Sequence, residues 1–245
     1  MKGRFLVLRP QPGADETAAA LRDAGIDALP LPVLGRKPLP ETPAMRASIQ
    51  ALAEHRLVIF VSPAAVEIGM ALIDRYWPQY PVTVHWIAVG ERTRQALADW
   101  GVEALAPAAD DEHSEGLLAL QPLNEVAGER VLIMRGRGGR EALSDALRER
   151  GARVSFVELY ERVPLPVTLP EQKDVAGLVV SSVSVLQALL ASGGKALVAT
   201  PLIVPSERVA AAARQAGFQK VCCATGAGPA ATVAAITSLN VGEAP

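Results

Sequence analysis

Aromatic side chains are scarce in this chain. Four Phe, three Tyr and three Trp make up 4% of its 245 residues, although half of all residues are hydrophobic. This argues against an aromatic-rich β-sandwich and for Ala, Leu and Val packing helices onto sheets. Cysteine is nearly absent. Cys222 and Cys223 are adjacent, and a bridge between neighbours in an extended segment would be strained, so a reducing compartment is expected. Neither sign of charge is in excess. The 24 Lys and Arg against 26 Asp and Glu leave a net charge of -2, too small for a global field that draws in nucleic acid or a membrane surface. No apolar run is long enough to span a bilayer, and the N-terminus has no signal-peptide layout. The three histidines, His55, His85 and His113, are scattered without metal-ligand spacing and read as surface or cleft-rim residues. No Ser-His-Asp or Cys-His pairing can be assembled. A soluble, cytoplasmic monomer is expected, with no metal or organic cofactor and no nucleic-acid or membrane partner.

What the chain does have is an internal repeat. Arg4 to Ala28 (RFLVLRPQPGADETAAALRDAGIDA) aligns without a gap on Arg130 to Val154 (RVLIMRGRGGREALSDALRERGARV). Arg9 falls on Arg135, Leu21 on Leu147 and Gly25 on Gly151. A second unit also recurs: Phe60-Val61-Ser62 matches Val179-Val180-Ser181, Gly90-Glu91-Arg92 matches Ser206-Glu207-Arg208, and Gly101 matches Gly217. The order is A-B-A-B. Two similar α/β domains can form a cleft, a favoured place for a small-molecule site.

Apolar runs at Phe5–Leu8, Ala28–Val33, Leu57–Val61, Val84–Val89, Val131–Met134, Val154–Leu159, Leu178–Val180, Leu202–Val204 and Val221–Ala224 read as strands. Thr17–Asp23, Pro63–Asp74, Glu91–Trp100, Ser114–Leu120, Glu141–Arg150, Val183–Ala191, Arg208–Ala216 and Pro229–Ile236 read as helices. Such alternation predicts an α/β fold of parallel sheets covered by helices on both faces. Two stretches, Gly35–Pro43 (GRKPLPETP) and Val163–Pro170 (VPLPVTLP), are too rich in proline for helix and read as extended linkers. They divide the chain so that residues 1–36 plus 168–245 are expected to form one discontinuous domain and residues 40–163 an inserted one. The linkers fall at about 37–39 and 164–167. Sequential A-B and A-B domains would need a cut near Gly128, where no comparable linker exists.

Several segments together resemble the uroporphyrinogen-III synthase family. They are LVLRPQPGADETAAALRDAG, IFVSPAAVEIGMAL, IAVGERTRQALADWG, LIMRGRGGREALSDALRERGARVSFVELYERV, VVSSVSVLQALL and PSERVAAAARQAGF, in that order and across nearly the whole chain. The resemblance implies two similar α/β domains joined by a two-stranded extended linker. It also implies an enzyme, a cyclising hydro-lyase of tetrapyrrole (haem) biosynthesis. Its substrate would be the linear tetrapyrrole hydroxymethylbilane, closed with inversion of the last pyrrole ring and loss of water, without a cofactor.

That substrate carries many carboxylates. Backbone N–H groups at helix starts, gathered at the carboxyl ends of parallel strands, suit them. The candidates are Arg9, Ser62, Thr93, Ser114, Gly136, Arg137, Gly138, Arg140, Ser181 and Ser206. Ser62 precedes Pro63 as a helix N-cap would, and Ser181 holds the matching place. The family's binding hydroxyls match both. Some relatives carry Asn or Arg where this chain has Ala64, so a side-chain contact from there is lost. Thr93 is matched by Val209, so the fold does not require its hydroxyl, and in the family a Thr here lines the cleft. Arg135-Gly136-Arg137-Gly138-Gly139-Arg140 fails the dinucleotide fingerprint, because Glu141 stands where a third Gly belongs. A glycine-rich turn flanked by arginines still fits an anion-binding nest. Ser114 reads as a helix cap that also faces the cleft. Tyr160 is the catalytic candidate. Repeat alignment sets Leu34 opposite it, so the fold needs only an apolar body there, and the resemblance implies that its phenol assists loss of the leaving group. A two-lobed cytoplasmic binding or sensor protein without catalysis is the alternative. A Rossmann-type oxidoreductase is disfavoured by the broken fingerprint.

Overall fold

A computed structural model describes residues 3–108, 114–139 and 141–241 of the chain. Ten strands and nine α-helices alternate in these residues. They divide into two compact units, Met1–Arg36 with Val163–Pro245, and Lys37–Arg162.

The first unit holds β1 (Arg4–Val7), α1 (Gly13–Asp23), β2 (Ala28–Pro30), β8 (Val175–Val179), α7 (Val183–Ala191), β9 (Leu202–Val204), α8 (Glu207–Gln215), β10 (Val221–Cys223) and α9 (Pro229–Val241). Its sheet runs β10-β9-β8-β1-β2, with parallel pairing throughout. Successive side chains of a strand point to opposite faces, and both faces are dry here. Leu6 and Leu8 join one buried cluster with Val185 and Leu189 of α7 and Val209 and Ala213 of α8. Phe5 and Val7 join another with Ala14, Ala18 and Leu21 of α1 and Ile236 of α9.

The second unit holds α2 (Pro43–Gln50), β4 (Leu57–Phe60), α3 (Pro63–Ile73), β5 (His85–Ala88), α4 (Glu91–Asp99), α5 (Ser114–Leu118), β6 (Arg130–Gly136) and α6 (Ala142–Glu149). Two strands reach past its limits: β3 (Leu34–Pro38) and the twelve-residue β7 (Arg153–Pro164). The order is β3-β7-β6-β4-β5, and β7, β6, β4 and β5 are parallel. Val58 and Phe60 pack with Met70 of α3 and Leu97 of α4, while Leu57 and Ile59 pack with Leu117 of α5 and Leu147 of α6. An uninterrupted apolar run such as LVIF is what a strand buried on both faces requires.

The repeat has a geometric counterpart. Gly25 and Gly151 follow α1 and α6 with φ of +76° and +86°, a left-handed conformation that glycine adopts at little cost as a helix ends.

Both proline-rich stretches carry strand structure: β3 begins at Leu34 and runs into the first, and β7 enters the second and ends at Pro164. Main-chain bonds from Leu39 N–H to the Leu159 carbonyl (2.9 Å) and from Leu165 N–H to the Val33 carbonyl (3.1 Å) pair the segments. Helix α2, which was not expected, starts where the first stretch ends. Thr42 caps it by accepting the Met45 N–H (3.1 Å), and Pro43 takes the first-turn position that tolerates proline. Strand β8 begins at Val175, three residues before the expected start, although it includes Ala176 and Gly177, both poor strand formers. Pairing with β1 carries this start, through Arg4 against Val175 and Phe5 against Gly177, and β9 joins only from Leu178. A Cβ on Gly177 would lie 2.2 Å from the Phe5 ring, so close approach of β1 explains the glycine.

Candidate functional site

In the second unit the parallel register sets the carboxyl ends of β6, β4 and β5 in a row beside Tyr160, which lies inside the longer β7. Tyr160, Gly136, Ser62 and Gly90 follow one another across β7, β6, β4 and β5. Ser62 is the N-cap of α3, and its Oγ accepts the Ala65 N–H at 3.1 Å. The same Oγ lies 3.1 Å from the Tyr160 hydroxyl. Tyr160 is 2% exposed, so its phenol is packed at the sheet end and not held in solvent. The pairing of β6 with β7 shifts register between Arg135 and Gly136, which sets Gly136 against Tyr160. A Cβ on Gly136 would stand 2.6 Å from that ring. The Arg137 N–H donates to the Tyr160 carbonyl (2.7 Å). Gly136 thus serves as a bed for the phenol as well as the start of the turn.

The turn itself uses Gly138 at φ +67°. Arg137 is exposed, and ion pairs with Glu158 (3.5 Å) and Glu161 (3.3 Å) moderate its charge. Glu141 closes the turn. Its carboxyl is held below the usual range, first by the hydrogen bond from Arg135 and then by that from Ser144. Thr93 is buried in the first turn of α4, and its N–H donates to the Gly90 carbonyl (3.0 Å). Val209, its repeat partner, is buried as well. Burial is therefore the shared demand, and the hydroxyl is the chemical difference. Arg140 and the side chain of Ser114 lie outside the described residues, as does His113.

In the first unit Arg9, Ser181 and Ser206 also stand at carboxyl ends of strands. Arg9 Nη1 donates to Thr17 Oγ1 (2.9 Å) and to the Ala227 carbonyl (2.7 Å), tying α1 to the turn before α9. A Cβ on Gly13 would meet Arg9 Nε at 2.8 Å. Arg9 and Ser181 line a small depression with Pro205, Gly226, Ala227 and Thr232. Ser181 is not the helix cap that the repeat alignment implied. Ser182 caps α7, accepting the Val185 N–H at 3.3 Å. The link from β8 to α7 is one residue longer than that from β4 to α3, where Pro63 fixes the helix start. Ser206 occupies the N-cap of α8, but its side chain makes no cap bond.

Two further corrections concern residues read differently from sequence. His55 is buried at 3% exposure, not at the surface. Its Nδ1 lies 3.1 Å from the Ala51 carbonyl oxygen and its Nε2 3.5 Å from Ser155 Oγ. Burial foremost, then the charge of Arg130, lowers its pKa below the usual value. Arg135, read only as one of three arginines in a turn, is 8% exposed. An arginine ending an otherwise apolar strand was the available signal. Among the described residues no group of three His, Cys, Asp or Glu side chains is placed to hold a metal ion.

Solved structures place this architecture in a class. The chain superposes on uroporphyrinogen III synthase from Thermus thermophilus, in a mutant form, with a TM-score of 0.60 at 17% identity, covering 98% of each chain. It superposes on uroporphyrinogen-III synthetase from Helicobacter pylori 26695 with a TM-score of 0.59 at 17% identity, covering 98% of this chain and 100% of that one. These likenesses define an α/β fold of parallel sheets flanked by helices. Sequence narrows the class. A family model described as "Uroporphyrinogen-III synthase HemD" matches residues 15–234. Uroporphyrinogen-III synthase of Escherichia coli K12 is 34% identical over 231 residues, spanning 89% of this chain and 93% of the relative. That of Salmonella typhimurium LT2 is 34% identical over 228 residues with the same coverage. The chain belongs to the uroporphyrinogen-III synthase family.

Proposed function

We infer that this chain is a uroporphyrinogen-III synthase, which cyclises hydroxymethylbilane with inversion of the last pyrrole ring and loss of water. The family match over residues 15–234 carries the reading. Loss of water breaks a carbon–oxygen bond, and the departing oxygen gains negative charge. The buried Tyr160 phenol supplies a donor for it. Ala65 N–H donates to Ser62 Oγ. When Ser62 in turn donates to Tyr160, the phenol proton is left for the leaving oxygen, and the chain of hydrogen bonds stabilises charge on the phenol. Ser62, Thr93, Ser114 and the Gly136–Arg140 turn in one unit, and Arg9, Ser181 and Ser206 in the other, supply donors of the kind substrate carboxylates need. Because the substrate reacts readily once its hydroxyl leaves, holding its ends in one geometry is a large part of the work.

We further propose that residues 1–36 with 168–245 and residues 40–163 act as separate lobes, with β3 and β7 as the two-stranded connector. A cytoplasmic monomer that works without metal, nucleotide or flavin completes the reading. The deciding assay supplies purified protein with hydroxymethylbilane and separates the product isomers. The ring-inverted type III product is expected. Only the spontaneous type I isomer would leave a binding or sensor protein. Exhaustive chelation should leave turnover unchanged, and loss restored by a divalent ion would overturn the cofactor-free reading.

A further inference from the structure

Between the end of β6 and the start of α6 the chain has little to fix its shape. Gly136, Gly138 and Gly139 fall within four residues, and glycine favours no single conformation. Arg135 spans this turn from beneath. Its guanidinium lies 4.0 Å from the centroid of the Phe156 ring, and Nη2 donates to Glu141 Oε1 at 2.8 Å, across the turn from where the side chain starts. A second carboxylate, Glu158, lies 3.6 Å away. A Cβ placed on Gly139 would stand 3.4 Å from Arg135 Cδ, so the turn's backbone rests on the arginine stem. Glu141 stays ionised under these bonds, which makes the clamp a charge-assisted one.

The clamp has a cost that folding alone does not require. Arg135 Nε is buried and has no hydrogen-bond partner among the described residues. A buried donor left unsatisfied is destabilising, and replacing a buried ion pair as a whole by apolar side chains of similar volume is often neutral or stabilising. We propose that Arg135 is a positioning residue, which holds the Gly136–Gly139 turn in the shape in which the Gly138 and Gly139 N–H groups take a substrate carboxylate. The proposal rests on the synthase reading for its ligand. It does not make Arg135 itself a substrate contact.

The test uses the intact protein with Arg135→Met and Glu141→Gln. Methionine keeps the stem and a favourable contact with Phe156, and the freed Glu141 is half exposed, so it stays solvated. Hydrogen exchange over residues 136–139 should quicken in both variants and stay unchanged elsewhere. Melting should stay within a few degrees of the wild type. KM for hydroxymethylbilane should rise about tenfold, as expected for a misplaced binding group. Turnover should hold within about twofold, because Tyr160 and Ser62 are untouched. Unchanged exchange and unchanged KM would overturn the proposal, as would a fall in melting temperature with KM preserved, which marks a purely structural arginine. Should Arg135→Met fail to fold, Glu141→Gln decides by the same readings. If the wild type makes no type III product while exchange still quickens in the variants, the synthase reading fails and the clamp stands.

Discussion

Tyr160 touches three neighbours that constrain what it can become. Its ring lies on Gly136, its carbonyl accepts from Arg137, and its hydroxyl meets Ser62. Phenylalanine keeps the ring and the main-chain bond and loses only the hydroxyl. Tyr160→Phe should therefore fold, with about 1 kcal/mol of stability lost with the Ser62 bond. Turnover should fall by about 100-fold if the phenol assists the leaving group, with KM near the wild type and type III still the enzymatic product. Steady-state kinetics check this, and unchanged turnover would leave positioning as the main device. Gly136→Ala should be worse for the fold. Its methyl would sit 2.6 Å from the Tyr160 ring, and overpacking of that kind costs about 1–3 kcal/mol. Denaturant titration measures it, and a loss near zero would mean that the ring moves freely.

At the level of elements one problem, the start of a helix, is solved in two ways. Ser62 and Ser182 cap α3 and α7 with their hydroxyls, whereas Ser206 sits at the cap of α8 without a side-chain bond. Ser182→Ala should cost about 1 kcal/mol, as loss of an N-cap does, and Ser206→Ala should cost a few tenths at most. Thermal melts of the two variants compare them directly. Equal losses would show that Ser206 caps in solution. The repeat in the sequence was legible because both units need glycine after α1 and α6 and apolar runs in β1 and β6. The choice between Ser181 and Ser182 was not, because one extra residue in a link shifts the cap without changing the local pattern.

For the whole molecule, every member of the two clusters around β4 and β6 lies within residues 37–162, and every member of the two around β1 and β8 lies in the other unit. A core drawn from one stretch predicts that residues 37–162 expressed alone unfold in a cooperative transition, seen by calorimetry. A broad, featureless melt would count against it. Stability should also depend on pH through His55. Its folded pKa is lowered, so below about 6.5 the unfolded chain binds more protons than the folded one. Stability is then full above that pH and declines as pH falls below it, by at most about 1.4 kcal/mol per unit for one group. Urea unfolding between about pH 7.5 and 5.5 tests this, and His55→Gln should flatten that part of the slope.

Local pattern in the chain was enough to specify the alternation of strands and helices, the repeat and its order, and the family. Each of these rests on short-range signals: apolar runs, glycines after helices, prolines outside them. The glycine turn was also named from it, and the catalytic candidate from the family resemblance together with the repeat. It took the folded molecule to bring the Tyr160 hydroxyl against Ser62, ninety-eight residues away, to lay Gly136 under the ring, and to bury Arg135 against Phe156. Folding also put a helix directly after the first proline-rich stretch and a histidine in the interior. The reason is physical. Periodicity specifies which face of a strand is apolar, but the neighbour across the sheet is set by strand order and register, which no local pattern records.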